Sequence, residues 1–212
     1  SVIEKPVAKI TIANMYTPNG EIKQVDLCKN TTAILSGSST MQKCMFGWSK
    51  GEEFDLDNVN LQLGDDNGTR IDTADIILSD TTKFYLFVEA ENGCYQIDSI
   101  RLNALPLPKL EITADGELTA NGYKEICSGE STVLKVSGKD AQDKAINNFV
   151  WTTPNQGQPT LETITATPAE ENAYFKDGKY IYKYEVSGSD KLGCTAKDSL
   201  LIYIIIGVSL SL

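Results

Sequence analysis

Residues 180–204 read YIYKYEVSGSDKLGCTAKDSLLIYI, and the pattern in this stretch decides the fold. Tyr180, Tyr182, Tyr184 and Val186 alternate with Ile181, Lys183 and Glu185. A period of two is that of a strand with one face buried and the other turned to water. The alternation stops at SDKLG, a cluster of turn formers, and an apolar run resumes after Cys194. The stretch is therefore a hairpin whose last strand opens on a Gly-Cys pair.

A hundred residues upstream the same order recurs as KFYLFVE (83–89), the turn ENG, Cys94 and a final run YQIDSIRL. Cys28 in VDLCKNTTAIL matches Cys127 in KEICSGESTVL, and Cys94 matches Cys194, at offsets of 99 and 100 residues. Trp48 in FGWSKGEE matches Trp151 in FVWTTPNQ, and Asp98-Ser99-Ile100 matches Asp198-Ser199-Leu200. A fixed internal period is the signature of a duplicated module. Six or seven short strands per copy, with Gly, Asn, Asp and Pro between them, predict an all-β chain of two tandem Ig-like β-sandwich domains. Copy 1 is expected over 1–104 and copy 2 over 105–206, joined at the proline-punctuated LNALPLPKLEI (102–112), with 207–212 beginning a following repeat or linker.

The 212 residues include five cysteines, no histidine and a formal charge of −10. An acidic chain without a basic cluster argues against nucleic acid as a partner. The apolar run SLLIYIII (199–206) is far shorter than the ~20 residues needed to span a bilayer, so no membrane span is expected in this segment. Cysteines at nearly the same separation in both copies, 66 and 67 residues, point to an oxidising, extracellular setting.

CSGESTVL (127–134), aromatic-x-Trp, the alternating tyrosine strand, Gly-Cys and Asp-Ser-apolar together resemble the tandem Ig-like or PKD-like repeats of Bacteroidetes cell-surface proteins. The resemblance covers nearly the whole chain and implies a surface-displayed stalk or adhesive array. Such arrays occur in large adhesins and gliding-motility proteins exported by the type IX route. Its implied partners are neighbouring repeats of the same chain, with surface glycans or proteins as further candidates. Copy 1 departs from the pattern in Lys29-Asn30, in the extra Cys44 and in the acidic insertion 51–72.

Two cysteine pairings stay open. Repetition favours Cys28 with Cys94 and Cys127 with Cys194, each bond closing a long loop worth roughly 4 kcal/mol in the chain-entropy model. Strand parity instead favours Cys44 with Cys94, because a strand's two ends lie at opposite poles. Phe46 with Trp48 and Phe149 with Trp151 are expected to fill the core of each copy, two residues apart on one strand face.

No metal is expected. If calcium bound, its oxygen ligands would be Asp55, Asp57, Asp65, Asp66 and Asn67, although DLDNVNLQLGDDNG lacks EF-hand spacing. Asp-Ser and Asp-Thr pairs at Thr73, Thr81, Ser99 and Ser199 fit the O-glycosylation signal that the resemblance implies, and Ser99 and Ser199 read more simply as polar strand positions. No catalytic residue and no cofactor are expected, since the chain has neither a histidine base, a Gly-x-Ser-x-Gly elbow, a phosphate-binding glycine loop nor a Cys-x-x-Cys pair. The function expected is a non-catalytic structural or adhesive repeat segment of a bacterial cell-surface protein. The alternatives are a ligand-binding module for glycan or protein, or accessory domains of a secreted hydrolase.

Overall fold

The computed structural model of the chain describes residues 4–12, 23–59, 62–63, 71–72, 76–154, 157–168, 173–176 and 178–205. The chain forms two compact units, Ser1–Leu105 and Pro106–Leu212.

In the first unit the strands are β1 (Ala8–Ile12), β2 (Gln24–Cys28), β3 (Thr32–Ala33), β4 (Leu35–Ser39), β5 (Met45–Lys50), β6 (Gln62–Leu63), β7 (Ile71–Asp72), β8 (Ile76–Ile77), β9 (Thr82–Glu89) and β10 (Tyr95–Leu105). One sheet has the order β1-β4-β7, the other β2-β10-β9-β5-β6, and β3 pairs with β8. Between β1 and β2 the chain thus passes from one sheet to the other, as β1 runs antiparallel to β4 while β2 runs parallel to β10. Ile10, Leu35, Phe46, Leu86, Val88, Ile100 and Leu102 bury their side chains in one core drawn from both sheets.

The second unit repeats the plan with β11 (Lys109–Ala114), β12 (Lys124–Cys127), β13 (Thr132–Lys139), β14 (Asn148–Thr152), β15 (Thr163–Ala166), β16 (Tyr174–Lys176), β17 (Lys179–Ser189) and β18 (Thr195–Ile205). Its sheets run β11-β13-β15 and β12-β18-β17-β14, with β16 also on β17. Its core holds Ile112, Leu134, Val136, Trp151, Tyr182, Tyr184, Val186 and Ile202. A split first strand, a three-stranded sheet facing a larger one, and a long terminal hairpin define two Ig-like β-sandwiches.

The recurring Gly-Cys pair has a backbone cause. Gly93 and Gly193 have φ of 77° and 84°, a left-handed conformation in which a Cβ is strained. Each ends the same turn: the Gly93 amide donates to the Ala90 carbonyl at 2.9 Å, and the Gly193 amide to the Asp190 carbonyl at 3.2 Å. Asn92 in one copy and Asp190 in the other accept the amide of the following cysteine through Oδ1, both at 2.9 Å.

Candidate functional site

The cysteine positions overturn both pairings within a copy. Cys28 ends β2 opposite Leu105, the last residue of β10, whereas Cys94 immediately precedes Tyr95, the first. An eleven-residue strand therefore separates them, some 35 Å at the usual rise, against a disulfide Cα separation of at most about 7 Å. Cys127 opposite Ile205 and Cys194 before Thr195 repeat the arrangement. The alternative of Cys44 with Cys94 also fails. Met45 and Tyr95 pair with Glu89 from opposite sides of β9, which leaves the two cysteines about two strand spacings, or ~9.6 Å, apart. Cys44, Cys94 and Cys127 are free thiols, while Cys28 and Cys194 are disulfide-bonded. Cys44 is buried, and its Sγ–H faces the Met41 carbonyl at 3.4 Å.

Phe46, Phe149 and Trp151 are buried, and the Trp151 indole donates to the Leu161 carbonyl at 2.8 Å. Trp48 packs on the edge of the first core, and its buried Nε1 has no hydrogen-bond partner among the described residues. Gly37 lies against it: a Cβ there would come within 3.3 Å of the Trp48 ring and 2.7 Å of Leu86 Cδ1, so a larger residue would force the Leu86 side chain to shift.

The Asp-Ser repeat is a clamp between sheets. Asp98 Oδ2 accepts the Ile10 amide at 2.9 Å, and its Oδ1 accepts the Ser99 amide at 2.7 Å and Lys23 Nζ at 2.6 Å. Asp198 does the same for Ile112 at 2.8 Å and Ser199 at 2.8 Å. The last strand thereby holds the first strand of the opposite sheet through a charge-assisted bond. Thr81 Oγ1 accepts the Ala104 amide at 3.0 Å. The recurrence of Asp98 and Asp198 was the available signal for this device, and what it lacked was the partner strand.

Asp55 caps the short 3-10 turn Leu56–Asn58, accepting the Asp57 amide at 3.1 Å and the Asn58 amide nitrogen at 2.6 Å. Its carboxylate is already committed to that turn. Asp65, Asp66 and Asn67 lie outside the described residues, and among those described no three carboxylates, cysteines or histidines gather as a metal cluster.

The chemistry that distinguishes the copies lies on the outer face of the larger sheet. In copy 1, Tyr85, Phe87 and Glu89 on β9 stand beside Ser99, Ile97 and Tyr95 on β10. The loop after β5 folds over them, fixed by the Tyr85 hydroxyl donating to the Glu52 carbonyl at 2.6 Å and by the Gly51 amide on the Lys83 carbonyl. This delivers Phe54 onto the face, stacked on Phe87 at 5.9 Å between centroids, and Phe87 in turn stacks on Tyr95 at 5.3 Å. Phe54, Leu56, Val59, Phe87, Glu89 and Tyr95 line an open hollow of about 520 Å³, with Leu56 55% and Tyr95 58% exposed. Glu53, Asp57 and Glu89 have no cationic partner among the described residues, whereas Glu52 pairs with Arg101 and Glu91 with Lys43.

In copy 2 the matching positions are Glu185, Ser187, Ser189, Thr195, Lys197 and Ser199. Glu185 bridges Lys183 at 2.8 Å and Lys197 at 3.2 Å, and these hydrogen bonds, Lys183 first, hold its carboxyl below the ordinary carboxylate range. On the inner face, burial foremost and then Tyr182 push the Tyr184 phenol up to about 12.

No family model matches the chain. Human consortin is 26% identical to it over 106 residues, 49% of this chain and 14% of consortin. Similar solved structures include a titin A168–A169 tandem (12% identity, 97% of this chain and 100% of that one, TM-score 0.38), the tandem Ig repeats of Dlar (12%, 96% and 100%, 0.31) and DIP-gamma IG1+IG2 (10%, 95% and 98%, 0.34). Strand order within each unit carries the Ig-like assignment independently of these whole-chain superpositions. No helix among the described residues is long and apolar enough to cross a membrane.

Proposed function

We propose that the chain is a non-catalytic structural and adhesive repeat segment of a large bacterial cell-surface protein, with the Bacteroidetes adhesins and gliding-motility proteins as the setting. The observation that supports it most is the same sandwich built twice from the same parts. Each copy has its own core, its own glycine turn at 93 or 193 and its own aspartate clamp at 98 or 198. A unit that folds on its own contacts suits repetition and display. Disulfide-bonded Cys28 and Cys194 fit an oxidising extracellular location. The boundary at Leu105 and Pro106 marks the unit of repetition, with neighbouring repeats as its first partners.

The test is protease shaving of intact source cells, followed with antibody against the purified chain. Loss of the epitope without lysis, together with no turnover on glycan, ester and peptide substrates, is the expected result. An epitope protected until the cells are broken would refute surface display, and saturable hydrolysis would refute the non-catalytic reading. Ligand binding by copy 1 is a second reading, favoured by the aromatic hollow, whose strand positions are taken by Ser187, Thr195 and Lys197 in copy 2.

A further inference from the structure

We propose that the hollow on copy 1 docks a basic, apolar peptide segment of a partner protein, with the aliphatic stem of a lysine or arginine lying across the exposed Leu56 and Tyr95 and its charged head at Glu89. The inference deepens the adhesive reading and rests on it only for presentation of this face to a partner.

The hollow has an aromatic and aliphatic lining that includes Phe54, Leu56, Phe87, Tyr95 and Ile97, with one carboxylate, Glu89. Rings attract a cation over their faces, and long cationic side chains spread apolar stems over such surfaces while the head stays at the edge. Lys83 already shows the contact inside this copy, its Nζ standing 4.6 Å from the Tyr85 ring centre. Glu89 supplies a negative charge inside the hollow, Glu53 and Asp57 add charge on the loop that follows β5, and none of the three has an ion pair among the described residues. An incoming Lys or Arg would therefore meet the unpaired Glu89 carboxylate beside the exposed Tyr95 ring, an apolar anchor next to a complementary charge.

A sugar fits less well. Recognition of hydroxyl groups takes several fixed donors and acceptors, and the nearby amides are already used within the turns. Asn58 donates to Asp55, while Asn92 accepts the Cys94 amide and donates to the Glu4 carbonyl. Among the residues lining the hollow only Glu89 and the Tyr95 hydroxyl offer polar side-chain atoms.

Copy 2 supplies the control within the same molecule. Thr195 and Lys197 occupy the positions of Tyr95 and Ile97 on a strand of the same register. Titration of the whole chain, followed by amide NMR, would use three probes: acetyl-LKLRL-amide, its acidic counterpart acetyl-LELEL-amide, and chitohexaose. Saturable shifts confined to Phe87, Glu89, Tyr95 and Ile97 are expected with the basic peptide alone. Its Kd should rise about tenfold in the double variant Tyr95→Thr/Ile97→Lys and about threefold in Glu89→Gln, and binding should weaken from 0.05 to about 0.3 M salt. Glu89→Gln keeps the side-chain shape and so reads the charge even if the double variant is poorly folded. Equal binding of the acidic peptide, binding of the sugar alone, no saturable shift with any probe, or unchanged affinity in folded variants would each overturn the proposal. None of these outcomes bears on the shaving result, so docking and surface display can fail separately.

Discussion

Strands β9 and β17 occupy the same place in the two sandwiches and solve different problems. Every residue of β17 that faces inward is buried or half-buried, while Lys183 is exposed and held by Glu185. In β9, five consecutive residues, Phe84 to Val88, are buried. The cause is remote: Phe54, some thirty residues earlier, lies over Tyr85 and Phe87 and removes the outer face of the strand from water. One scaffold therefore carries an ion-paired, solvated face in copy 2 and an aromatic face in copy 1. An outer face is free to diverge because the core and the clamp lie on the other side of the sheet.

The largest expected effect is all or none. Iodoacetamide in denaturant without reductant should add three groups, at Cys44, Cys94 and Cys127, and none at Cys28 or Cys194 until reduction. In the folded chain Cys94 and Cys127 should react first and buried Cys44 only on unfolding, which sets copy 1 apart by a protected thiol. Peptides linking Cys28 to Cys94, or Cys127 to Cys194, would contradict the strand polarity of both sandwiches.

The tryptophans sharpen the contrast in stability. Trp151→Ala removes a fully buried ring with a satisfied indole and should destabilise the second unit by about 3–5 kcal/mol. Trp48 is less buried and its Nε1 has no partner among the described residues, so Trp48→Ala should cost its own unit about half as much. Urea titrations of each variant would measure this, and equal losses would mean that the copies share more than their framework.

Much of this framework was legible in the sequence. The hairpin around Gly193-Cys194, the duplication and the Phe149/Trp151 core follow from local period and turn chemistry. The cysteine geometry was not, because it depends on the chain passing from one sheet to the other between β1 and β2. That switch places Cys28 beside Leu105 through a parallel pairing that no periodicity encodes. The aromatic hollow was equally hidden. KFYLFVE reads as a buried strand whether its second face meets another sheet or a loop, and Phe54 came from a stretch whose acidic residues suggested calcium. The structure gives Asp55 to a turn instead.

The clamp is a place where the copies should behave alike. Asp98→Ala and Asp198→Ala each leave a partly buried amide, of Ile10 or Ile112, without its carboxylate, at about 2 kcal/mol per site. Each should lower the melt of its own unit by about 10 °C. Loss of the exposed Lys23 bond should add little in copy 1. A clearly larger effect in one copy would show that the Asp-Ser repeat does more there than join two strands.

Alkaline pH separates the copies again. Tyr184, raised to about 12, faces the same core that Phe84 fills in copy 1. Below pH 10 the phenol is protonated in both folded and unfolded chains, and its burial counts in full. Between pH 10 and 12 the unfolded chain releases the proton while the folded unit retains it, so stability falls as pH rises. The melt of the second unit should therefore drop by about 5 °C or more across this window. Tyr184→Phe should remove most of that drop, and an unchanged pH slope in this variant would place the alkaline sensitivity elsewhere.

The smallest effect tests whether the ion pairs of copy 2 matter to its fold. Glu185 is held below its ordinary range by Lys183 and Lys197, so its contribution is present above the unfolded carboxylate range and is lost as pH falls through the depressed value. The side chains of both lysines are more than half exposed, so water and salt screen the pairs. Glu185→Gln should lower the melt at neutral pH by no more than about 2 °C, and high salt or acid should erase the difference from the parent. A drop several times larger, persisting in high salt, would mean that the charged face helps fix the strand. The outer faces of the two copies would then not be interchangeable, and the aromatic surface of copy 1 would have to be read as a structural requirement of that unit.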